Sequence, residues 1–247
     1  MADRSFSDIP LAALYDALNP WGPSDDFYLD LVMSARSVLD VGCGTGRLLG
    51  RAREAGHEGR LCGLDPAAAM LVQARRRAAA EWVLGDLASA CWEREFDLVV
   101  MTGHAFQVLV SDEELRSTLA RVRRALTADG RFVFETRNPA ARAWESWTPD
   151  QAREVTDAHG DVVRVWHDVE TPVAGDRVTF TETFDHPAWE RPRTSRSTLR
   201  FLAPYALDRF LTEAGLAVDE RYGDWGRGPF TPTAPEIITV TRPGRTG

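Results

Sequence analysis

The stretch VLDVGCGTGRLLG, residues 38–50, decides how this chain is read. Val38, Leu39 and Val41 form an apolar run of strand type, and the run ends in a loop with glycine at 42, 44 and 46. A helical pattern, TGRLLGRAREAG, follows and stops at Gly56. Strand, glycine loop and helix in succession suit a ligand, and the flanking residues decide which one. A dinucleotide fingerprint requires G-x-G-x-x-G, and counting from Gly42 the third position is Arg47. A phosphate loop requires four residues between its glycines and then a lysine, and all 29 basic residues of this chain are arginine. The spacing present is Asp40-x-Gly42-x-Gly44-x-Gly46. A carboxylate at the head of such a loop repels phosphate and suits a ligand that presents an ammonium or a sulfonium.

Outward from the loop, short apolar runs alternate with helical patterns from Ser37 to Pro139, the signature of βαβ units on a parallel sheet. The runs SVLDVG, RLCGLD, AEWVLGD, FDLVVM and RFVFET are read as strands. Between them, PAAAMLVQARRRAAA opens on Pro66, and SDEELRSTLARVRRALTADG opens with Ser111 and Glu114 at capping-box spacing. The second of these helices aligns Leu115, Leu119, Val122 and Leu126 on one face. After Pro139 the rhythm changes. VVRVWHDV, RVTFTETF and TSRSTLRFL, separated by the turn-forming VAGD and HPAWERP, predict an antiparallel β insertion over 155–203. The helix APYALDRFLTEAGL and the strands AVDERYG and EIITVTR then resume the first pattern. Residues 1–36 carry two short helical patterns, DIPLAALYDAL and SDDFYLDLVMSA. The expectation is a single α/β domain across 1–247.

Composition narrows the function. With 29 basic and 37 acidic residues the net charge is -8, which disfavours a broad phosphate-binding face and so nucleic acid as a partner. The absence of lysine excludes Schiff-base chemistry. Cys43, Cys62 and Cys91 are odd in number and widely spaced, against a disulfide framework or structural zinc. No segment has the length of a signal core or the ~20 apolar residues of a membrane span, so a cytoplasmic protein without membrane contact is expected.

Two further acids fall in register with the loop. Asp65 ends the second strand, where a carboxylate can accept both hydroxyls of a ribose, and Asp86 ends the third, where it can accept from an adenine amino group. Together they describe an adenosine with a positive tail. With VLDVGCGTG, GLDPAAAML, VLGDL, FDLVVMTGHAFQVL and LTADGRFVFETRNP in this order, the chain resembles the class I S-adenosylmethionine-dependent methyltransferases. The resemblance implies a Rossmann-like doubly wound seven-stranded sheet, order 3-2-1-4-5-7-6 with the last strand antiparallel, and S-adenosylhomocysteine as product. It implies that Gly42, Gly44 and Gly46 let the backbone approach the cofactor and that Asp40 lies near its amino-acid end. Asp65, with Pro66 beside it, would hold the ribose. Met70 would pack under the adenine, Asp86 and Leu87 would meet its edge, and Thr102 would contact the methionine portion. Tyr15 and Trp21 of the N-terminal segment would cover the cofactor.

The donor is already activated, so the main task is placement of a nucleophile, and only a hydroxyl or acidic carbon needs a base in advance. His104, directly after the fourth strand, is the candidate base. Arg137, Asn138, Trp144 and Trp147 follow strand five, and Tyr222 and Trp225 follow strand six, so these six are the candidate acceptor-binding residues. The insertion and residues 1–36 are expected to form lids over the crevice. No metal is expected, because Thr102 stands where catechol-type methyltransferases place an acidic ligand. The expected acceptor is a small molecule with a nitrogen, oxygen or carbon nucleophile, on a monomer or homodimer. A protein or RNA acceptor, a non-catalytic cofactor sensor and a nicotinamide oxidoreductase are the alternatives, and Arg47 in place of glycine speaks against the last.

Overall fold

The computed structural model describes residues 3–244. Three single-turn helices, α1 (Arg4–Ser7), α2 (Ile9–Ala12) and α3 (Tyr15–Leu18), lead into α4 (Pro23–Met33). The helix expected over DIPLAALYDAL is thus two separate turns. Asp8 caps the first by accepting from the Leu11 N–H, and Pro23 sits in the first turn of α4, where its missing N–H costs nothing.

The alternating core follows as β1 (Ser37–Val41), α5 (Arg47–Glu54), β2 (Arg60–Asp65), α6 (Ala68–Arg77), β3 (Glu81–Leu84), β4 (Phe96–Met101), α7 (Asp112–Ala125) and β5 (Leu126–Arg137). Ser111 and Glu114 form the capping box their spacing predicts, with Glu114 N–H donating to Ser111 Oγ at 3.1 Å. Helix α7 stops at Ala125, before the end of its pattern, because Leu126 turns extended and pairs with Phe96 on β4.

The insertion is a separate four-stranded antiparallel sheet, β6 (Arg153–Thr156), β7 (Val162–Val169), β8 (Arg177–Asp185) and β9 (Arg193–Arg200). Strand β6 was not legible beforehand: REVT is four residues long and mostly exposed, so it has no apolar alternation to show. The chain closes with α8 (Pro204–Glu213), β10 (Leu216–Tyr222) and β11 (Glu236–Pro243).

The main sheet has the order β3-β2-β1-β4-β5-β11-β10, with β11 antiparallel to both neighbours. This is the order and sense the resemblance implies. Period-two alternation sorts its side chains between two layers. Leu39, Val99, Phe132 and Phe134 pack with α7 and α8, while Val38, Leu98, Val100 and Val133 pack with α4 and α5. Asp40 shares the parity of Val38 and therefore faces the α4 and α5 side. Leu11, Leu14 and Leu18 of the N-terminal turns share a small core with Val163, Val165 and Phe184 of the second sheet, so these two segments pack together.

Candidate active site

The carboxyl ends of β1, β4 and β5 open into a cavity of about 380 Å³, walled by the glycine loop, Tyr15, Tyr28, Asp40, Thr102, His104, Glu135, Arg137 and Trp225. Gly42, Gly44 and Gly46 have φ of 77°, 55° and 71°, the left-handed region that disfavours a side chain. The glycines differ in purpose. A Cβ on Gly46 would lie 2.4 Å from the Trp82 ring, whereas one on Gly44 would meet only Tyr15, at 4.0 Å. Gly46 is required by packing, and Gly44 leaves backbone open to the cavity.

Asp65 ties this loop to the next helix. One oxygen accepts the Gly44 N–H at 2.8 Å, and the other accepts the Ala67 N–H at 2.7 Å. Burial raises its pKa, and the two N–H groups oppose that rise. Asp40 has no such partners. It is 1% exposed, and neither carboxylate oxygen is hydrogen-bonded. Burial, then the charges of Asp65 and Glu135, push its pKa up to about 8.

The opposite wall is a connected polar network. Glu135, fully buried near the end of β5, accepts the His104 N–H at 2.7 Å and the Tyr28 hydroxyl. The His104 ring holds Glu236 through Nε2, at 3.0 Å to the nearer oxygen, and its backbone sits at φ 61°. Burial raises the pKa of Glu135, and burial with the Glu135 charge raises that of Tyr28. Tyr15, half-buried against the loop, has its pKa pushed up to about 12 by that desolvation. Arg137 donates to Gln107 Oε1 at 3.1 Å and lies over the Trp147 ring, and burial lowers its pKa.

Tyr15, Asp40, Gly42, Gly44, Thr102, His104, Arg137 and Trp225 are thus brought together around one cavity. Other predicted residues lie outside its wall. Met70 is buried beneath Phe6 and Tyr15, and Pro66 and Leu87 are not on the wall. Asp86 is exposed and accepts the Ser89 N–H at 3.0 Å, the bond of a turn. Trp21 donates to Asp26 at 2.7 Å, with Arg47 and Arg51 on its ring. Asn138 is fully committed: it accepts from Ala140 and donates to the carbonyls of Pro232 and Ala234, fixing the loop before β11. Trp144 and Trp147 pack on Phe201, and the Tyr222 hydroxyl contacts Glu220.

Glu135 and Glu236 escaped the sequence reading. Their signal was faint: an acid among the apolar residues of RFVFET, and one opening EIITV. Among the described residues, Asp157, Asp161 and His186 of the second sheet approach metal-ligand geometry. There His186 Nδ1 accepts the Ala188 N–H at 3.0 Å, which leaves the proton on Nε2 facing Asp157 and no lone pair for an ion.

Residues 38–130 match the family described as a methyltransferase domain. The chain is 27% identical over 223 residues to the cypemycin N-terminal methyltransferase of a Streptomyces species, across 84% of this chain and 83% of that protein. Its fold is similar to that of the CcbJ methyltransferase from Streptomyces caelestis, with a TM-score of 0.74 at 21% identity over 94% of this chain and 96% of that one. It is also similar to the amino pentose methyltransferase CalS10 from Micromonospora echinaspora, solved with S-adenosylmethionine bound, with a TM-score of 0.67 at 22% identity over 93% and 95% of the two chains. The family match over 38–130, the glycine loop and the sheet order together support a class I S-adenosylmethionine-dependent methyltransferase. The residues present fit that cofactor, because the orphaned carboxylate of Asp40 and the bare backbone at Gly44 are what a cationic ligand with a polar tail needs.

Proposed function

We propose that the enzyme methylates an amine nitrogen of a small molecule, with His104 receiving the proton that the nitrogen gives up. The observation that carries this reading is His104, which stands on the cavity wall with its ring paired to Glu236. Glu236 beside His104 favours the approach of a protonated amine, and only the neutral amine can attack. Nε2 of His104 is engaged by Glu236, which leaves Nδ1 as the acceptor for that proton, while Glu236 stabilises the imidazolium that results.

When bound, S-adenosylmethionine would supply a methyl group activated by its sulfonium, to be taken by an in-line nitrogen with the thioether as leaving group. Gly42, Gly44 and Gly46 would approach it with backbone, Asp40 would face its cationic end, and Asp65 would take the ribose with the lone pairs its backbone bonds leave over. Tyr15 would close over it. Met70, Asp86, Leu87 and Thr102 keep the roles the resemblance implies, and no step here calls on a metal. The packed layer of N-terminal turns and second sheet would act as one lid. It excludes water and admits small acceptors, which supports a small molecule over a protein or RNA.

Incubation with methyl-labelled cofactor and a panel of amines and alcohols tests the reading. Mass spectrometry should place the label on nitrogen, and exclusive transfer to oxygen or carbon would overturn it. His104→Ala should lower kcat at least tenfold with cofactor affinity unchanged. Turnover within about threefold of the parent sinks the base.

A further inference from the structure

We propose that Arg137 holds a carboxylate of the acceptor, so that the amine methylated here belongs to an amino acid or a similarly compact amino carboxylic acid. The amine half of this inference rests on the function proposed above, and the carboxylate half rests on Arg137 alone.

Arg137 closes β5 and lines the cavity with His104. Its guanidinium is oriented from two sides: one N–H donates to Gln107 Oε1 at 3.1 Å, and its central carbon lies 5.2 Å over the Trp147 ring. Gln107 is itself buried and fixed, donating to the Arg200 carbonyl at 2.9 Å. A guanidinium carries five N–H donors, and among the described residues this one makes no other hydrogen bond and no ion pair. Other largely buried arginines differ: Arg47 holds Asp25, Arg200 holds Asp176 and Asp112, and Arg221 holds Asp208. Glu236 and Glu135 are near enough to act on the Arg137 charge, yet their bonds go to His104 and Tyr28.

Packing does not require that charge. Gln107 Oε1 also accepts the Arg137 main-chain N–H at 3.2 Å, and Trp147 packs on Phe180 and Phe201. A desolvated guanidinium without a counter-ion is costly, and an anion carried by a ligand offsets the cost. A carboxylate matches the planar fork through two parallel hydrogen bonds. A phosphate would bring a second negative charge with no free cation to meet it, because Arg47, the other guanidinium on the wall, is committed to Asp25 and to the Asn19 carbonyl. Position sets the size of the ligand. Arg137 is paired directly with Glu236 across β5 and β11, and Glu236 holds the His104 ring at 3.0 Å. Side chains opposed in this way leave the sheet about 5 Å apart. An ammonium drawn to Glu236 and a carboxylate drawn to Arg137 are therefore a few bonds apart, as they are in an amino acid.

Two measurements on the whole protein test this. With S-adenosylhomocysteine bound, saturation-transfer NMR should show propionate binding saturably and propionamide at least about tenfold more weakly. Arg137→Gln should abolish the propionate signal, and Arg137→Lys should keep part of it. Absence of saturable propionate binding in the parent, equal binding of propionamide, or a signal that survives in Arg137→Gln overturns the proposal, and inorganic phosphate binding more tightly than propionate overturns the choice of a carboxylate. The second measurement follows transfer of labelled methyl to α-amino acids, each offered also as its primary amide. Acids should exceed their amides in kcat/KM by at least about tenfold, and Arg137→Gln should remove the preference by raising the KM for the acid while the amide is unaffected. Amides used as well as acids, or an amino sugar without a carboxylate methylated equally by parent and Arg137→Gln, overturns the proposal. Label found on oxygen or carbon of an acid whose use still requires Arg137 would leave the carboxylate site standing and sink the amine reading instead.

Discussion

The two walls of the cavity are built by different means. The glycine-loop wall comes from one short segment, residues 40–46, and is fixed by main-chain bonds: Gly42 and Cys43 N–H groups both donate to the Leu64 carbonyl, and Gly46 N–H to that of Cys43. The opposite wall gathers Tyr28, His104, Glu135 and Trp225 from α4, the loop after β4, β5 and the loop after β10, with Glu236 of β11 bonded to His104, and side chains hold it together. On the first wall the buried acid Asp40 is left alone, and on the second each buried acid already has a donor. One wall is therefore rigid in shape and open in charge. The other is satisfied in charge and depends on distant parts of the chain for its shape.

The largest effect should come from breaking the shape of the first wall. Gly46→Ala places a Cβ 2.4 Å from Trp82 and 2.8 Å from Ala74 at φ 71°, so the loop or its neighbours must move. Urea denaturation should show a loss of about 3 kcal/mol or more, with strain and overpacking adding. Gly44→Ala has space and only the strain of φ 55°, so it should cost about 1 kcal/mol. Its loss should instead appear as weaker cofactor binding by calorimetry. If both variants were equally unstable, the division between a packing glycine and a ligand-facing glycine would fail.

On the second wall, Glu135→Ala should cost about 2 to 3 kcal/mol, because the part-buried His104 N–H and the buried Tyr28 hydroxyl both lose their acceptor. Glu135→Gln can still accept from one and meet the other, so it should stay within about 1 kcal/mol of the parent. A Gln variant as unstable as the Ala variant would show that the charge, rather than hydrogen bonding, holds this wall.

The same contrast explains what could be read in advance. The glycine loop, Asp40, Asp65 and the strand order lie in contiguous motifs whose periodicity and turn chemistry are local, so each appears in a window of a dozen residues. Glu135 and Glu236 are made neighbours of His104 only by the pairing of β5 with β11, where Arg137 opposes Glu236. No local pattern carries that register. Trp144 and Trp147 show the reverse: their position after β5 suggested the cavity, yet the four-stranded sheet draws both onto Phe201. Asn138 is similar, a residue near the crevice whose every polar atom is spent on the loop before β11.

A smaller effect should separate the walls by pH. Unfolded, an aspartate loses its proton near about 4; folded and free of cofactor, Asp40 keeps it to about 8. Within that window the folded state binds the extra proton, so the contribution is whole at the acidic end and declines as pH rises, by up to about 1.4 kcal/mol per unit. The stability of the parent relative to Asp40→Asn should therefore fall from pH 5 to pH 8, as followed by urea midpoints. A parent that gained on Asp40→Asn over this range would mean that Asp40 is ionised in the empty fold.

The smallest effect is expected at Tyr222, where sequence position suggested the acceptor wall. Its hydroxyl contacts Glu220 on the surface, and its ring meets Phe27 edge-on at 6.2 Å, whereas Trp225, which also meets Phe27, lines the cavity. Tyr222→Phe keeps the ring packing and removes only a solvated contact, so stability should move by less than about 0.5 kcal/mol and kcat/KM by less than about twofold. Trp225→Ala removes an indole that packs on Tyr28, the donor to Glu135, and should raise the acceptor KM well beyond that. Steady-state kinetics with the first amine found to be methylated decides between them. A tenfold loss in Tyr222→Phe would place that hydroxyl on the acceptor, and would mean that the strand after α8 moves toward the cavity when the acceptor binds.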